Sequence, residues 1–580
     1  MTALHLSRLS RRLLSDPRRI LRDGRGRASA RETIERRFGI DPRALGAFRI
    51  LFGLVVLFDV LHRSRNLRTF YTDDGVYPRD LRLEESAWTA EYSLHLLSGA
   101  AWFQALLFAL TGLAAIALIV GYRPRLAALA AAVLVVSLHW RNPLVLNGAD
   151  RLLRDLLLFA IFLPLAGRWA IRGGGSRAGD SRGDGDHGDG DRGDGDRRQR
   201  VATPATAAIL LYVVTIFFSN ALDKRAGETW PSGEALAYAL RQDQMTILLG
   251  NHLVDYPLVL ELATYGWYGL LLCSPLLLVT VDWGRIACVV AFLSVFVGMA
   301  LTVAVGLFPP LLATAICLFL PPRAWDALER VGGAVRSRCA AGVAWSRRRI
   351  GLGHATSAFS RPGWLRVPDF LGRPRVPTVD GWLRVPAPVR RLRVPALGLV
   401  PRTLSAPQHH RYRRWARTGW SVLLGGVLVF TVLWGVGILG WADPFEPVDT
   451  LNPENNGWGM YAEDPSDRAD WHVVTAHLEN GERHDVLLES PARSGPPPDA
   501  SETFPSFRWR LYFIDLHGED AADRREAFTA YACERADAAV DEPVERIDVD
   551  WGYQAIDLEE ETEPRRFDLA TRSCDDSGAS

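Results

Sequence analysis

The chain has 580 residues, 48% hydrophobic and 23% charged, with a formal net charge of +1. That average conceals a separation, because apolar runs near the spanning length of about 20 residues alternate with Arg-rich or Asp/Glu-rich segments. The pattern excludes a single soluble domain. It predicts a polytopic α-helical membrane protein of about nine spans with a C-terminal α+β domain outside the membrane, and no nucleic-acid partner. The 19 Trp fit, since Trp favours membrane interfaces.

Residues 1–43 carry many Arg and no apolar core, which reads as a basic cytoplasmic arm able to touch anionic lipid rather than a cleavable signal peptide. The transmembrane domain is expected over 44–321. Its first span, 44–62, contains Arg49, Asp59 and His62, and ionisable groups inside a span usually face the bundle interior. An outer segment, 63–101, holds the turn-rich Phe70-Tyr-Thr-Asp-Asp-Gly75. Spans two and three are expected at 102–120 and 124–138. A polar re-entry containing Asn142 and Asn147 then leads into span four, 152–171, with Asp150 and Arg154 spaced four apart to pair on one helix face.

Residues 173–200 include a Gly-Asp-Arg repeat. Its carboxylates suit a hard cation, but the composition favours a flexible linker and no metal site is assigned. Span five, 204–222, delivers Lys224, the only lysine in the chain, followed by Trp230. Lysine can lose its proton when desolvated, whereas arginine cannot, so one lysine among so many arginines points to a group that titrates. The alternative is a side chain that snorkels to the headgroups. Spans six to eight are expected at 256–281, 284–303 and 306–321, an Arg/Pro-rich cytoplasmic insert at 322–415, and a last helix within 416–441.

The domain at 442–580 reads as a hairpin from Trp471 to Glu489, a strand or amphipathic piece at 507–516, a helix at 521–536 and a strand at 544–551. Cys273, Cys288 and Cys317 lie in apolar runs and read as small hydrophobes. Cys533 and Cys574 fall in the C-terminal domain, where spacing alone does not decide whether they pair. Arginine bias across alternate loops places the N-terminus in the cytoplasm and the C-terminal domain outside the cell membrane.

Several of these stretches together resemble one family. They are Phe48-Arg49-Ile50, Phe70-Tyr-Thr-Asp-Asp-Gly75, Arg141-Asn-Pro with Asn147-Gly-Ala-Asp150, Asp223-Lys224 with Trp230 and Gly233, Gly306-Leu-Phe-Pro309, Trp458-Gly-Met-Tyr461, Phe507-Arg-Trp-Arg510 and Val544-Glu-Arg-Ile547. The chain looks like the HTTM (horizontally transferred transmembrane) family, which shares its membrane domain with vitamin K-dependent γ-carboxylase. The resemblance implies that Lys224 is the base acting on a reduced naphthoquinone, menaquinol or vitamin K-like. Oxygen then converts the quinol to an epoxide, and the strong base formed on the way drives carboxylation of glutamate in an exported peptide. Asn142, Asn147, Asp150, Arg154 and Trp230 are the expected substrate or quinone contacts. The chain departs from the family where a second lysine precedes the base, here Asp223, and where Pro143 replaces a histidine. A different class of function is a non-catalytic membrane protein that binds lipid, quinone or peptide.

Overall fold

The computed structural model describes residues 32–33, 35–85, 92–171, 200–242, 244–334, 463–492, 504–560 and 562–574. The repeat within 173–200, nearly all of the 322–415 insert and the expected last span lie outside them. Residues 326–423 cluster as a second unit, helical over its described stretch 326–334.

Helix starts follow local chemistry. Helix α1, Pro42–Ser64, has proline in its first turn, where no amide partner is lost, and Asp41 accepts the Arg43 N–H as its N-cap. Helix α2, Ala101–Val120, ends on Gly121 in the left-handed region, and α3, Pro124–Arg141, begins three residues later. Helix α4, Gly148–Phe162, opens on a capping box in which Asn147 and Asp150 satisfy each other's backbone amides. Helix α5, Pro204–Ala226, uses the same device with Thr203 and Thr206. Helices α6, Pro257–Leu272, α7, Asp282–Thr302, and α8, Phe308–Ile316, complete the bundle.

Among the described residues four helices are long and apolar enough to cross a membrane: α1, α2, α5 and α7. A fifth is reached only by joining Phe308–Phe319 to Pro322–Ala334. At 23 residues, α1 and α5 each reach about 34 Å, more than the hydrocarbon thickness. The expected span four does not run to 171, because α4 stops at Phe162 before Pro164. Span six is interrupted after Leu272, and Pro275 opens a separate short helix, Leu276–Val279. Span eight is α8 plus a single 3-10 turn, Cys317–Phe319. Proline removes an amide donor and clashes with the preceding turn, so apolar length alone overstates helix length.

The C-terminal domain is a five-stranded antiparallel sheet in the order β3-β2-β1-β4-β5. Its strands are β1 Arg468–Leu478, β2 Arg483–Asp485, β3 Ser490–Pro491, β4 Val544–Ala555 and β5 Arg565–Ser573. The expected hairpin is β1–β2, closed through Gly481 at φ 85°. Residues 507–516, expected as a strand or amphipathic piece, are helix α9, Phe507–Leu516, and the expected helix is α10, Ala522–Ala539. Cys533 on α10 and Cys574 after β5 form a disulfide.

One apolar core fills the helix bundle around Phe48, Phe52, Leu152, Leu156, Phe217 and Phe292. A second joins the sheet domain to the segment after α1. Phe70 packs edge-on against Trp509 at 5.1 Å between ring centres, and the Tyr512 hydroxyl donates to the Val76 carbonyl at 3.0 Å.

Candidate functional site

Lys224 lies in the last turn of α5 and is 1% exposed. Its Nζ stands 4.0 Å from the centre of the Trp230 ring, itself buried in the short helix Thr229–Ser232. A cation over an indole face is stabilised by the ring quadrupole. The turn between the two residues is clamped by the leader of the sheet domain. Asp464 accepts the Glu228 N–H at 3.0 Å, the Thr229 N–H at 2.8 Å and the Thr229 hydroxyl at 2.5 Å. Desolvation works against the Asp464 carboxylate, yet the Thr229 hydroxyl and these two amides hold its pKa below the ordinary range. Gly227 is required there, since a Cβ would collide with the Glu463 carbonyl oxygen. Gln242 adds a hydrogen bond from Nε2 to the Ser466 carbonyl at 3.0 Å.

Lys224 and Trp230 both line a cavity of about 470 Å³ enclosed mainly by α5, α6 and α7. Phe217, Leu260, Trp267, Val295 and Met299 form much of its wall, and the polar side chains that reach it are Asn220, Lys224 and Thr302. The Thr302 hydroxyl donates to the Gly298 carbonyl of its own helix at 3.0 Å. The chamber is apolar, with an amine and an amide one helical turn apart on α5. Such a donor set fits an apolar ring compound carrying a hydroxyl or carbonyl, and the volume falls in the range of about 300–1,000 Å³ usual for small-molecule sites.

A second polar centre lies where the sheet domain meets the bundle. Arg63 donates from Nε to both Asp59 oxygens at 2.9 and 2.8 Å and from Nη1 to the Tyr71 hydroxyl at 2.9 Å. Its Nη2 bonds Asp150 Oδ1 and reaches His139 Nε2 at 3.2 Å. Arg508, from α9, donates to Asp59 Oδ1 at 3.0 Å, to Asp150 Oδ2 at 3.4 Å and to the Val145 carbonyl at 2.6 Å. All six of these side chains are buried. Asp59, His139 and Asp150 present ligand atoms within 4.8 Å of one another, a spacing that suits a metal ion. Two guanidinium groups already take up the carboxylate oxygens, so the set reads as a closed ion-pair network.

The expected site residues therefore separate. Lys224 and Trp230 share the cavity, whereas Asn142, Asn147, Asp150 and Arg154 do not line it. Asn142 donates to the Phe70 carbonyl at 2.9 Å and accepts the Leu144 N–H at 3.1 Å, which fixes the re-entry loop. Asn147 caps α4. The Asp150 carboxylate is held by Arg63 and Arg508, so the i,i+4 pairing expected with Arg154 is replaced by longer-range partners. Asn220, Arg63, His139 and Arg508 were not expected at either centre. The four-residue spacing of Asp59 and Arg63 was a usable signal for one pair, and Asn220 sits one turn before Lys224. Nothing in the sequence spacing links Arg508 to residues 449 and 358 positions earlier.

No protein-family model matches this chain, and no curated protein and no solved structure matches it either.

Proposed function

We propose that this is a multi-pass membrane protein of the HTTM, γ-carboxylase-like type, in which Lys224 serves as base toward a lipid-soluble quinol. Supporting this reading is one observation above the others: the chain's only lysine is buried at the wall of an apolar cavity between long apolar helices, with its amine against Trp230. Lys224 and Asn220 would hold the ring hydroxyl or carbonyl of a reduced naphthoquinone, and the apolar wall would take the ring. A bound quinol would, in reacting with oxygen, supply the stronger base that a lysine cannot be. The role of this chain is to accept the first proton at Nζ, exclude water and orient the ring. Lysine suits that task because, unlike guanidinium, it can be neutral when desolvated.

In this reading about nine spans set the N-terminus in the cytoplasm and the sheet domain outside, where it would present an exported peptide. The Cys533–Cys574 disulfide supports that side, since disulfides persist in oxidising compartments.

A non-catalytic role is favoured by a different observation. Asp223 adjoins Lys224 in the chain and Asp464 clamps the turn that follows it, and two carboxylates so placed suit an ammonium anchor. Purified protein incubated with menaquinol and oxygen separates the two. Epoxide formed by the wild type and lost in Lys224→Arg supports catalysis. Quinone bound without turnover, equally in both, supports the binding role alone.

A further inference from the structure

At the Pro42 end of α1, remote from the Arg508 contact at its other end, a second pocket of about 620 Å³ opens between the α2–α3 turn and the segment after α4. Three arginines line it, Arg123 from the α2–α3 turn, Arg125 from the first turn of α3 and Arg168 from the segment after α4, and all three are exposed. The floor is apolar, with Leu45 and Leu165 buried and Val201 half-buried, and no aspartate or glutamate lines the pocket. Arg123 and Arg125 form no ion pair among the described residues.

The site is built rather than a chance cluster of surface charge. The Ile171 N–H donates to the Val120 carbonyl at 3.0 Å and ties the segment after α4 to the end of α2. Arg49, fully buried on α1, donates to the Trp169 carbonyl at 2.9 Å and leaves Nε and Nη1 without a partner. An uncompensated buried guanidinium beside this loop raises the positive potential there. The nearest carboxylate along the chain, Asp41, is already taken by Arg43. Tyr122 and Trp169, each about half exposed, flank the basic groups, and such amphipathic rings settle at the level of lipid headgroups.

We propose that this pocket binds the phosphate headgroup of an anionic phospholipid, with the acyl chains running along the outer faces of α1 and α2. Cations at the rim, an apolar floor and interfacial aromatics together match a headgroup joined to hydrocarbon, and a soluble anion would have no use for the floor.

The test titrates the detergent-solubilised full-length chain with short-chain phosphatidylglycerol, phosphatidylcholine or inorganic phosphate. Phosphatidylglycerol is expected to bind at least about tenfold more tightly than phosphatidylcholine, with phosphate failing to displace it. The triple variant Arg123→Asn, Arg125→Gln, Arg168→Gln is expected to weaken phosphatidylglycerol binding on the order of 100-fold. Asn is chosen at position 123 because that residue sits at φ 42°, which Asn tolerates. The corresponding triple Lys variant keeps the charges and is expected to keep the affinity, which controls for folding. Unchanged affinity in the neutral variant, equal binding of phosphatidylcholine, or displacement by phosphate would each overturn the proposal.

Discussion

Arg508, in the sheet domain, donates from Nη2 to Asp59 Oδ1 of helix α1 at 3.0 Å, across 449 positions of sequence. Both side chains are buried, and the same guanidinium also reaches Asp150. One arginine thus ties α9 to two helices of the bundle. Truncating one member of a buried network leaves the others uncompensated, at a cost of about 3–5 kcal/mol. Arg508→Met is therefore expected to loosen the docking of α9, seen as faster amide exchange over 507–516 and 143–146. Adding Asp59→Asn removes one stranded charge and should restore part of the loss. Unchanged exchange in Arg508→Met would show that apolar packing around Phe70 and Trp509 holds the domain alone.

Acid is expected to weaken the sheet domain through His472. Burial, then His517 and Arg510, push its pKa well below the ordinary 6.5. Its Nε2 faces His517 Nε2 at 2.7 Å, so one ring must be a neutral acceptor there. Below about pH 6.5 the unfolded chain takes up a proton that the folded His472 refuses. Stability that is complete above that pH is lost as pH falls, by up to about 1.4 kcal/mol per pH unit. Thermal melts from pH 7.5 to 5 should fall more steeply for the wild type than for His472→Gln, which keeps a hydrogen bond without titrating. Parallel curves would remove His472 from the acid response.

Much of this architecture was legible where one periodicity ran unbroken. Helices α1, α2, α5 and α7 lie close to their expected limits because long apolar stretches without internal proline leave little else to form. Span four was overextended because Pro164 and the residues after it are weakly polar yet cannot continue a helix. Strand β5 was not anticipated, since its residues are mostly exposed and carry no apolar alternation; pairing with β4 makes it a strand. At the site, Lys224 and Trp230 were legible six residues apart. The expected grouping of Asn142, Asn147, Asp150 and Arg154 around Lys224 is not found, because a sequence does not say which side of a helix bundle a loop faces. Two of the stretches behind the family resemblance meet in space, but as structure. Arg141 donates to the carbonyls of Tyr77 and Thr72 at 2.9 and 3.0 Å, and Asn142 to that of Phe70.

The disulfide between Cys533 and Cys574 closes a loop of sequence separation 41, joining α10 to the end of the edge strand β5. Loop-closure entropy for that length corresponds to about 4 kcal/mol of stabilisation. Cys533→Ser is expected to lower the midpoint of unfolding of the sheet domain, and reductant should do the same to the wild type while leaving the variant unmoved. A variant that responds to reductant as strongly as the wild type would mean that the bridge is not the reducible element.

Lys224 tests whether the cavity is a reaction chamber or a lipid berth. Its amine is enclosed by apolar wall, Asn220 and the Trp230 ring, an environment that stabilises an ammonium less than water does. Lys224→Met fills nearly the same volume without the polar terminus. If the lysine is kept for chemistry, its presence costs stability, so the Met variant should unfold at a higher temperature while quinol oxidation drops on the order of 100-fold or more. Lys224→Arg should be equally inactive, because guanidinium keeps its proton. If the lysine is instead an anchor between Trp230 and the nearby Asp464, the order reverses: Met lowers the unfolding temperature and Arg restores it. Melting temperature and quinol turnover, measured together on the two variants at matched expression, distinguish these outcomes. A stabilised Met variant with wild-type turnover would exclude both roles and assign the base to another group.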